Sequence, residues 1–103
     1  MFLKEQSKKD YIRLHRQIPT DVAQAIHRAN IRNYSIFLRE PENLLFSYWE
    51  YLGGDFSSDR ELMFNDPAMK RIWQLTDGMQ FSLATNTSST EIWASMREVF
   101  HND

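Results

Sequence analysis

Between Asp10 and Asn30 the apolar residues recur at Tyr11, Leu14, Ile18, Val22, Ala25/Ile26 and Ala29, three or four positions apart. That period lines them along one stripe of an α-helix. Pro19 falls inside the stripe. It has no N–H to offer the carbonyl of residue 15, and its ring crowds that turn. The pattern therefore predicts two helical pieces, over about residues 6–16 and 19–30, with a break between them and Asn30 as the stop. Only Met1 to Lys4 precede the first piece, so any strand there is short.

The period then switches to two. Over residues 31–39, Tyr34, Ile36 and Leu38 share one face, while Asn33, Ser35 and Phe37 share the other. Glu40-Pro41-Glu42-Asn43 reads as a turn, through the fixed φ of proline and the tolerance of asparagine for unusual φ. Residues 44–52 form the strongest strand signal. Leu44, Phe46, Tyr48, Glu50 and Leu52 lie on one face, and Leu45, Ser47, Trp49 and Tyr51 on the other. Both faces are apolar enough to need cover, and helices cover only one. Gly53-Gly54-Asp55 ends the hairpin. Residues 58–65 and 66–77 read as helical, the second opened by Asp66 as N-cap and Pro67 at the first helical position. Residues 81–90 read as a polar loop and residues 95–101 as a closing strand.

The resulting order is that of an α+β, ferredoxin-like split βαβ domain with an antiparallel sheet and helices on one face. Its other face is left aromatic and bare. This predicts a homodimer in which two sheets pack face to face, a dimeric α/β barrel with ligand pockets inside.

Composition narrows the function. A length of 103 residues fits one domain over residues 1–103. Aromatic residues reach 14%, so the rings are core, interface or pocket wall. Phe46 and most other phenylalanines are expected in the core, and Trp49 with Tyr51 or Tyr48 on the sheet face that needs a partner. With no cysteine, disulfides, thiolate metal sites and cysteine nucleophiles are excluded. A net charge of −2 argues against nucleic acid as a partner. No apolar run approaches the roughly 18–20 residues of a membrane helix, and the first residues lack a secretory pattern. A cytoplasmic location without a membrane partner is the expectation. Glycine-rich phosphate loops, Gly-x-Ser-x-Gly and His-Glu-x-x-His are all absent from the sequence. His15, His27 and His101 are scattered, so no metal is expected.

The constellation with chemical promise is Tyr11 and His15, four residues apart on one helix face, with His15 in the last turn before the Pro19 break. Histidine is the side chain suited to moving protons near neutral pH. The plainer reading is a pair at the edge of the core. Tyr34 on the next strand could point to the same place, or serve only as a strand former. Trp49 and Trp73 are apolar anchors by default, but a sugar ring also presents C–H faces on which such rings stack. Glu50 reads first as a carboxylate near a turn, and second as a partner for a hydroxyl or for His15.

Taken in order, these residues resemble the L-rhamnose mutarotases. The resemblance runs through Tyr11-x-x-x-His15, Asn33-Tyr34-Ser35-Ile36-Phe37-Leu38 and Asn43-Leu44-Leu45-Phe46. It continues through Asp66-Pro67-Ala68-Met69-Lys70-Arg71-Ile72-Trp73 to the closing Glu98-Val99-Phe100. It implies a dimeric α+β barrel, no metal or organic cofactor, and a cytoplasmic enzyme interconverting the α and β anomers of L-rhamnose. By position, it makes His15 the proton donor and Tyr11 and Tyr34 sugar-binding residues. Trp73 matches the second member of a Trp-Trp pair, Ile72 stands in place of the first, and Phe37 stands where tyrosine is frequent. The second acid/base group stays open among Tyr34, Tyr11, Glu50 and water. Two rival functions remain: a sugar-binding or regulatory relative without turnover, and a small monooxygenase of the same fold acting on an aromatic substrate.

Overall fold

The structure, a computed structural model, describes residues 1–81 and 93–103. Its elements are β1 (Phe2–Leu3), α1 (Lys8–Arg16), α2 (Thr20–Arg28), β2 (Ile31–Arg39), β3 (Leu44–Tyr51), α3 (Phe56–Phe64), α4 (Pro67–Thr76) and β4 (Gln80–Phe81). The sheet is fully antiparallel in the order β2-β3-β1-β4. That order, with helical crossovers on one face, is the ferredoxin-like α+β arrangement.

The helix break falls where Pro19 requires it. α1 stops at Arg16, and α2 starts at Thr20 with Pro19 as its cap residue. α2 ends at Arg28, and Asn30, just past its cap residue Ala29, takes the left-handed conformation (φ 63°). Asn33 and Asn43 are also left-handed, so asparagine occupies every non-glycine position of this kind among the described residues. α3 begins two residues earlier than the periodicity suggests, because Asp55 caps it by accepting from the Ser58 N–H at 3.2 Å. Asp66 caps α4 in the same way, accepting from the Ala68 N–H at 2.8 Å.

β1 has two residues but sits inside the sheet. The Leu3 N–H donates to the Asn43 carbonyl and the Lys4 N–H to the Met79 carbonyl, both at 2.8 Å, and the Leu45 N–H donates to the Met1 carbonyl at 2.7 Å. The strand expected over residues 95–101 does not form; residues 94–103 carry no regular structure. β4 takes the slot beside β1 instead. Gln80 and Phe81 follow directly on the 3-10 turn Asp77–Met79 that closes α4, so they reach β1 without a long connection. The expected polar loop begins at a strand residue, Phe81, and otherwise lies outside the described residues.

Register decides which side chains meet the helices. Ile31 pairs with Tyr51, Ile36 with Ser47 and Leu38 with Leu45. Ile31 and Ile36 differ in parity yet share a face, because β2 carries one extra residue between Arg32 and Ser35. This is a β-bulge, with Asn33 (φ 51°) as its left-handed residue. Two buried clusters result. One joins Val22 and Ala25 of α2 to Ala68, Met69 and Ile72 of α4. The other joins Met1, Leu3, Tyr11 and Leu45, with Ile36, Leu38, Met79 and Trp93 packed around it.

The expected home of the phenylalanines is corrected. All seven are exposed, and the core is built from aliphatic and small residues plus Tyr11. Phe37 pairs with Phe46, and Phe2 with Phe81, on the sheet face away from the helices. Tyr48 shares that face. Trp49 and Tyr51 do not belong to it: they lie on the helix side, where Trp49 stacks on Phe56 (5.3 Å between centroids) and Tyr51 meets the same ring edge-on (5.2 Å).

Candidate active site

Tyr11 and His15 are one turn apart on α1. Tyr11 is buried in the sheet-side cluster, and the half-buried His15 ring stacks on it, with centroids 4.3 Å apart and planes 28° from parallel. His15 Nδ1 lies 2.8 Å from the Tyr11 carbonyl oxygen. A carbonyl only accepts, so Nδ1 carries the proton and donates. In the neutral ring the free lone pair then sits on Nε2; in the charged ring Nε2 becomes a second donor. The backbone of the histidine's own helix thus fixes which ring nitrogen is held and leaves Nε2 free of that contact.

Beside this pair lies a pocket of about 210 Å³. Tyr11, Ile12, His15 and Arg16 of α1 form one wall, and Ile36, Leu38 and Leu45 of the sheet form the other. Counting about 30 Å³ per water, it has the scale of a small polar molecule. One histidine and one arginine among apolar walls suit a neutral, hydroxylated ligand with both C–H and O–H surfaces.

Tyr34 sits next to the bulge on the helix side of β2. Its residue surface is 39% exposed, yet burial of its hydroxyl end pushes the phenol above the ordinary tyrosine range. Tyr11 is pushed far higher, first by burial and second by the charge Tyr34 would carry. That coupling places the two phenols near each other. Both remain protonated at neutral pH, as hydrogen-bonding hydroxyls rather than bases.

Trp73 lies apart from these residues. It packs against the α2–α4 cluster and meets Phe64 edge-on, with centroids 5.1 Å apart, and does not line the pocket. Ile72 is buried in the same cluster. Glu50 faces away from His15. It is paired across the strands with Arg32 and accepts from the Asn33 side-chain amide and, at 3.1 Å, from the Tyr48 hydroxyl. Two neighbours of the site had no signal in the periodicity. Arg16 is one residue past His15 at the helix end, and Trp93 reaches the Tyr11 cluster from 82 positions along the chain. Two buried carboxamide oxygens, Asn43 Oδ1 and Gln80 Oε1, have no hydrogen-bond partner among the described residues; Leu3 lies between the two residues, donating its N–H to the Asn43 carbonyl and pairing with Gln80 across the strands. Among the described residues, no group of three or more His, Asp or Glu could hold a metal ion, and no helix is long and apolar enough to cross a membrane.

The structure is a ferredoxin-like α+β domain in which one histidine, His15, lines a pocket between the first long helix and the sheet. The family model for L-rhamnose mutarotase matches residues 1–102, and the chain belongs to that family. It is similar to the L-rhamnose mutarotase of Opitutus terrae, 31% identical over 94 residues, which span 91% of this chain and 85% of that one. The L-rhamnose mutarotase of Flavobacterium johnsoniae is 29% identical over the whole chain and 91% of its own length, and that of Phocaeicola vulgatus 27% over the whole chain and 93%.

Proposed function

We propose that this chain is an aldose 1-epimerase that interconverts the α and β anomers of L-rhamnose, acting in the cytoplasm as a homodimer. The observation that carries the reading is His15, held by its Nδ1–H on the Tyr11 carbonyl so that Nε2 is the nitrogen left to exchange protons beside the pocket.

Mutarotation is a pair of proton transfers. A proton arrives at the ring oxygen, another leaves the anomeric hydroxyl, and the C1–O5 bond breaks to give the open aldehyde. Rotation about C1–C2 presents the other face of the carbonyl, and the reverse transfers close the ring. No electrons change hands, so the step calls for an acid and a base but no cofactor. His15 Nε2–H supplies the proton to the ring oxygen and recovers it on closure. Tyr11 and Tyr34, kept protonated by burial, bind sugar hydroxyls. Glu50 is turned to the opposite face, so the base toward the anomeric hydroxyl is water or His15 itself. Trp73 acts as a sugar-binding residue only if α4 presents it to the pocket in the assembled protein.

The homodimer reading rests on the bare sheet face of Phe2, Phe37, Phe46, Tyr48 and Phe81, a contiguous aromatic patch of the kind that marks an interface. Exchange NMR on the anomeric protons of L-rhamnose tests the activity: added protein raises the α/β exchange rate in proportion to its concentration. An unchanged rate at high protein concentration rejects it. The packing of Ile72 and Trp73 away from the pocket favours a second reading, a sugar-binding relative without turnover. That protein would shift on rhamnose titration yet leave exchange untouched.

A further inference from the structure

The helical wall of the pocket is made of two pairs set side by side, each four residues apart on α1: Tyr11 with His15, and Ile12 with Arg16. His15 and Arg16 therefore stand at the same level, in the last turn of the helix. The facing wall of Ile36, Leu38 and Leu45 offers no polar side chain. The proton transfers assigned to His15 leave Arg16 without a part.

Most of the other arginines are committed to the fold. Arg13 holds Asp10, Arg28 holds Asp66, Arg39 holds Glu42 and Arg71 holds Asp21. Arg32 bonds the His27 carbonyl and ring, and Arg60 lies over the Phe64 ring. Arg16 has no hydrogen bond, ion pair or ring contact among the described residues. Its five N–H donors are uncommitted, and it is exposed on the open side of the pocket, beside His15.

Ring opening makes a demand that one histidine does not meet. As the anomeric hydroxyl gives up its proton, negative charge grows on its oxygen before the C1=O bond draws it in. Glu50, an anion, is turned to the other face. A positioned cation with N–H donors is the group that stabilises growing oxyanion charge, and a guanidinium keeps its charge throughout.

We propose that Arg16 is a catalytic residue: its guanidinium donates to the anomeric oxygen and stabilises the charge that develops there as the ring opens. The inference rests on the epimerase reading and goes beyond it by assigning the group that faces this oxygen. The hydroxyl proton passes to water, and the electron pair left on the oxygen becomes the second bond of C1=O. The C1–O5 bond breaks with its pair going to O5, which takes the proton of His15 Nε2. Closure reverses these transfers on either face of the carbonyl, and Arg16 gives up no proton at any step.

The test compares the full chain with Arg16→Met and Arg16→Lys, using initial-rate polarimetry from a single anomer of L-rhamnose. A cation in the last turn also favours the helix, and lysine keeps that contribution; melting curves check that both variants are folded. Arg16→Met is expected to lower kcat about ten- to a hundredfold, below the largest oxyanion effects because the site is open to water, with KM within threefold. Arg16→Lys is expected to recover most of the loss, and millimolar guanidinium chloride part of it in Arg16→Met. A kcat of folded Arg16→Met within fivefold of wild type, an effect confined to KM, or a loss that neither lysine nor guanidinium relieves overturns the assignment and leaves the epimerase standing. A wild-type chain that does not accelerate the reaction overturns both.

Discussion

Replacing His15 with glutamine removes the one proton-exchanging ring at the pocket while keeping a polar side chain of similar reach. The structure separates what this costs catalysis from what it costs folding. For catalysis, a positioned acid/base group contributes roughly 10²–10⁴-fold, or about 3–5 kcal/mol of barrier at 1.36 kcal/mol per tenfold. No second histidine lines the pocket to take over, so the full loss is expected. For folding, His15 is half-buried and its main contact is the stack on Tyr11. Such a pair is worth about 1 kcal/mol. For a domain of this size that lowers Tm by about 4–8 °C, leaving the protein folded at room temperature. The assay is two-dimensional exchange NMR on the two anomeric protons of L-rhamnose, with the folded fraction of the variant checked by circular dichroism. An exchange rate within threefold of wild type, from folded His15→Gln protein, would refute His15 as the proton donor.

Other consequences follow from the same geometry. Tyr34→Phe removes a hydroxyl held protonated near Tyr11 and is expected to raise KM about three- to tenfold, the worth of one hydrogen bond, with a smaller change in kcat; initial-rate polarimetry reads both. Leu45→Ala empties the centre of the Met1–Leu3–Tyr11 cluster, where Leu45 is 2% exposed, and is expected to cost about 2–5 kcal/mol, seen as a lower urea midpoint at unchanged slope. At Gly53 a Cβ would run into the Tyr51 ring and the Asp59 carboxylate, which are hydrogen-bonded to each other at 2.5 Å. Gly53→Ala is therefore expected to destabilise by about 1–3 kcal/mol in the same denaturation assay. The Asp66 carboxyl is held below the ordinary aspartate value of 3.8, chiefly by the Ala68 N–H, and Asp55 likewise by Ser58. A depressed folded value means stability is present above 3.8 and is lost as pH falls through the folded value. Melting temperatures are expected to drop as acid is added below that point, and Asp66→Asn to flatten the slope.

Where local chemistry sets the outcome, the chain is readable from its residues. The Pro19 break, the left-handed Asn30 stop, the Asp66–Pro67 helix start and the limits of β2 all follow from dihedral freedom and missing or supplied hydrogen bonds. The Tyr11–His15 pair was readable too, since four residues make one helical turn. The phenylalanines were not. Hydrophobicity says that Phe46 wants cover; it does not say whether that cover is its own helices or a second molecule. Residues 95–101 raise the same difficulty: their alternation fits a strand, but a strand exists only where an edge accepts it, and Gln80 and Phe81 reached the β1 edge first by a shorter connection. Trp93 entered the site's surroundings from far along the chain, a placement no window of periodicity registers.

The sequence alone determined the helices and strands from α1 to β3, the Pro19 break, the Asn30 stop, the Asp66–Pro67 helix start, and the one histidine set a turn from a tyrosine before a proline. These are consequences of bonds reaching only a few residues. Tertiary structure alone decided the rest. One extra residue in β2 returns Ile36 to the face of Ile31 and turns Tyr34 toward Tyr11. Strand pairing puts Glu50 on the face away from His15, and helix packing takes Trp73 into the α2–α4 cluster. Those outcomes depend on which faces meet across the sheet, and a face is a property of register, which no single segment carries by itself.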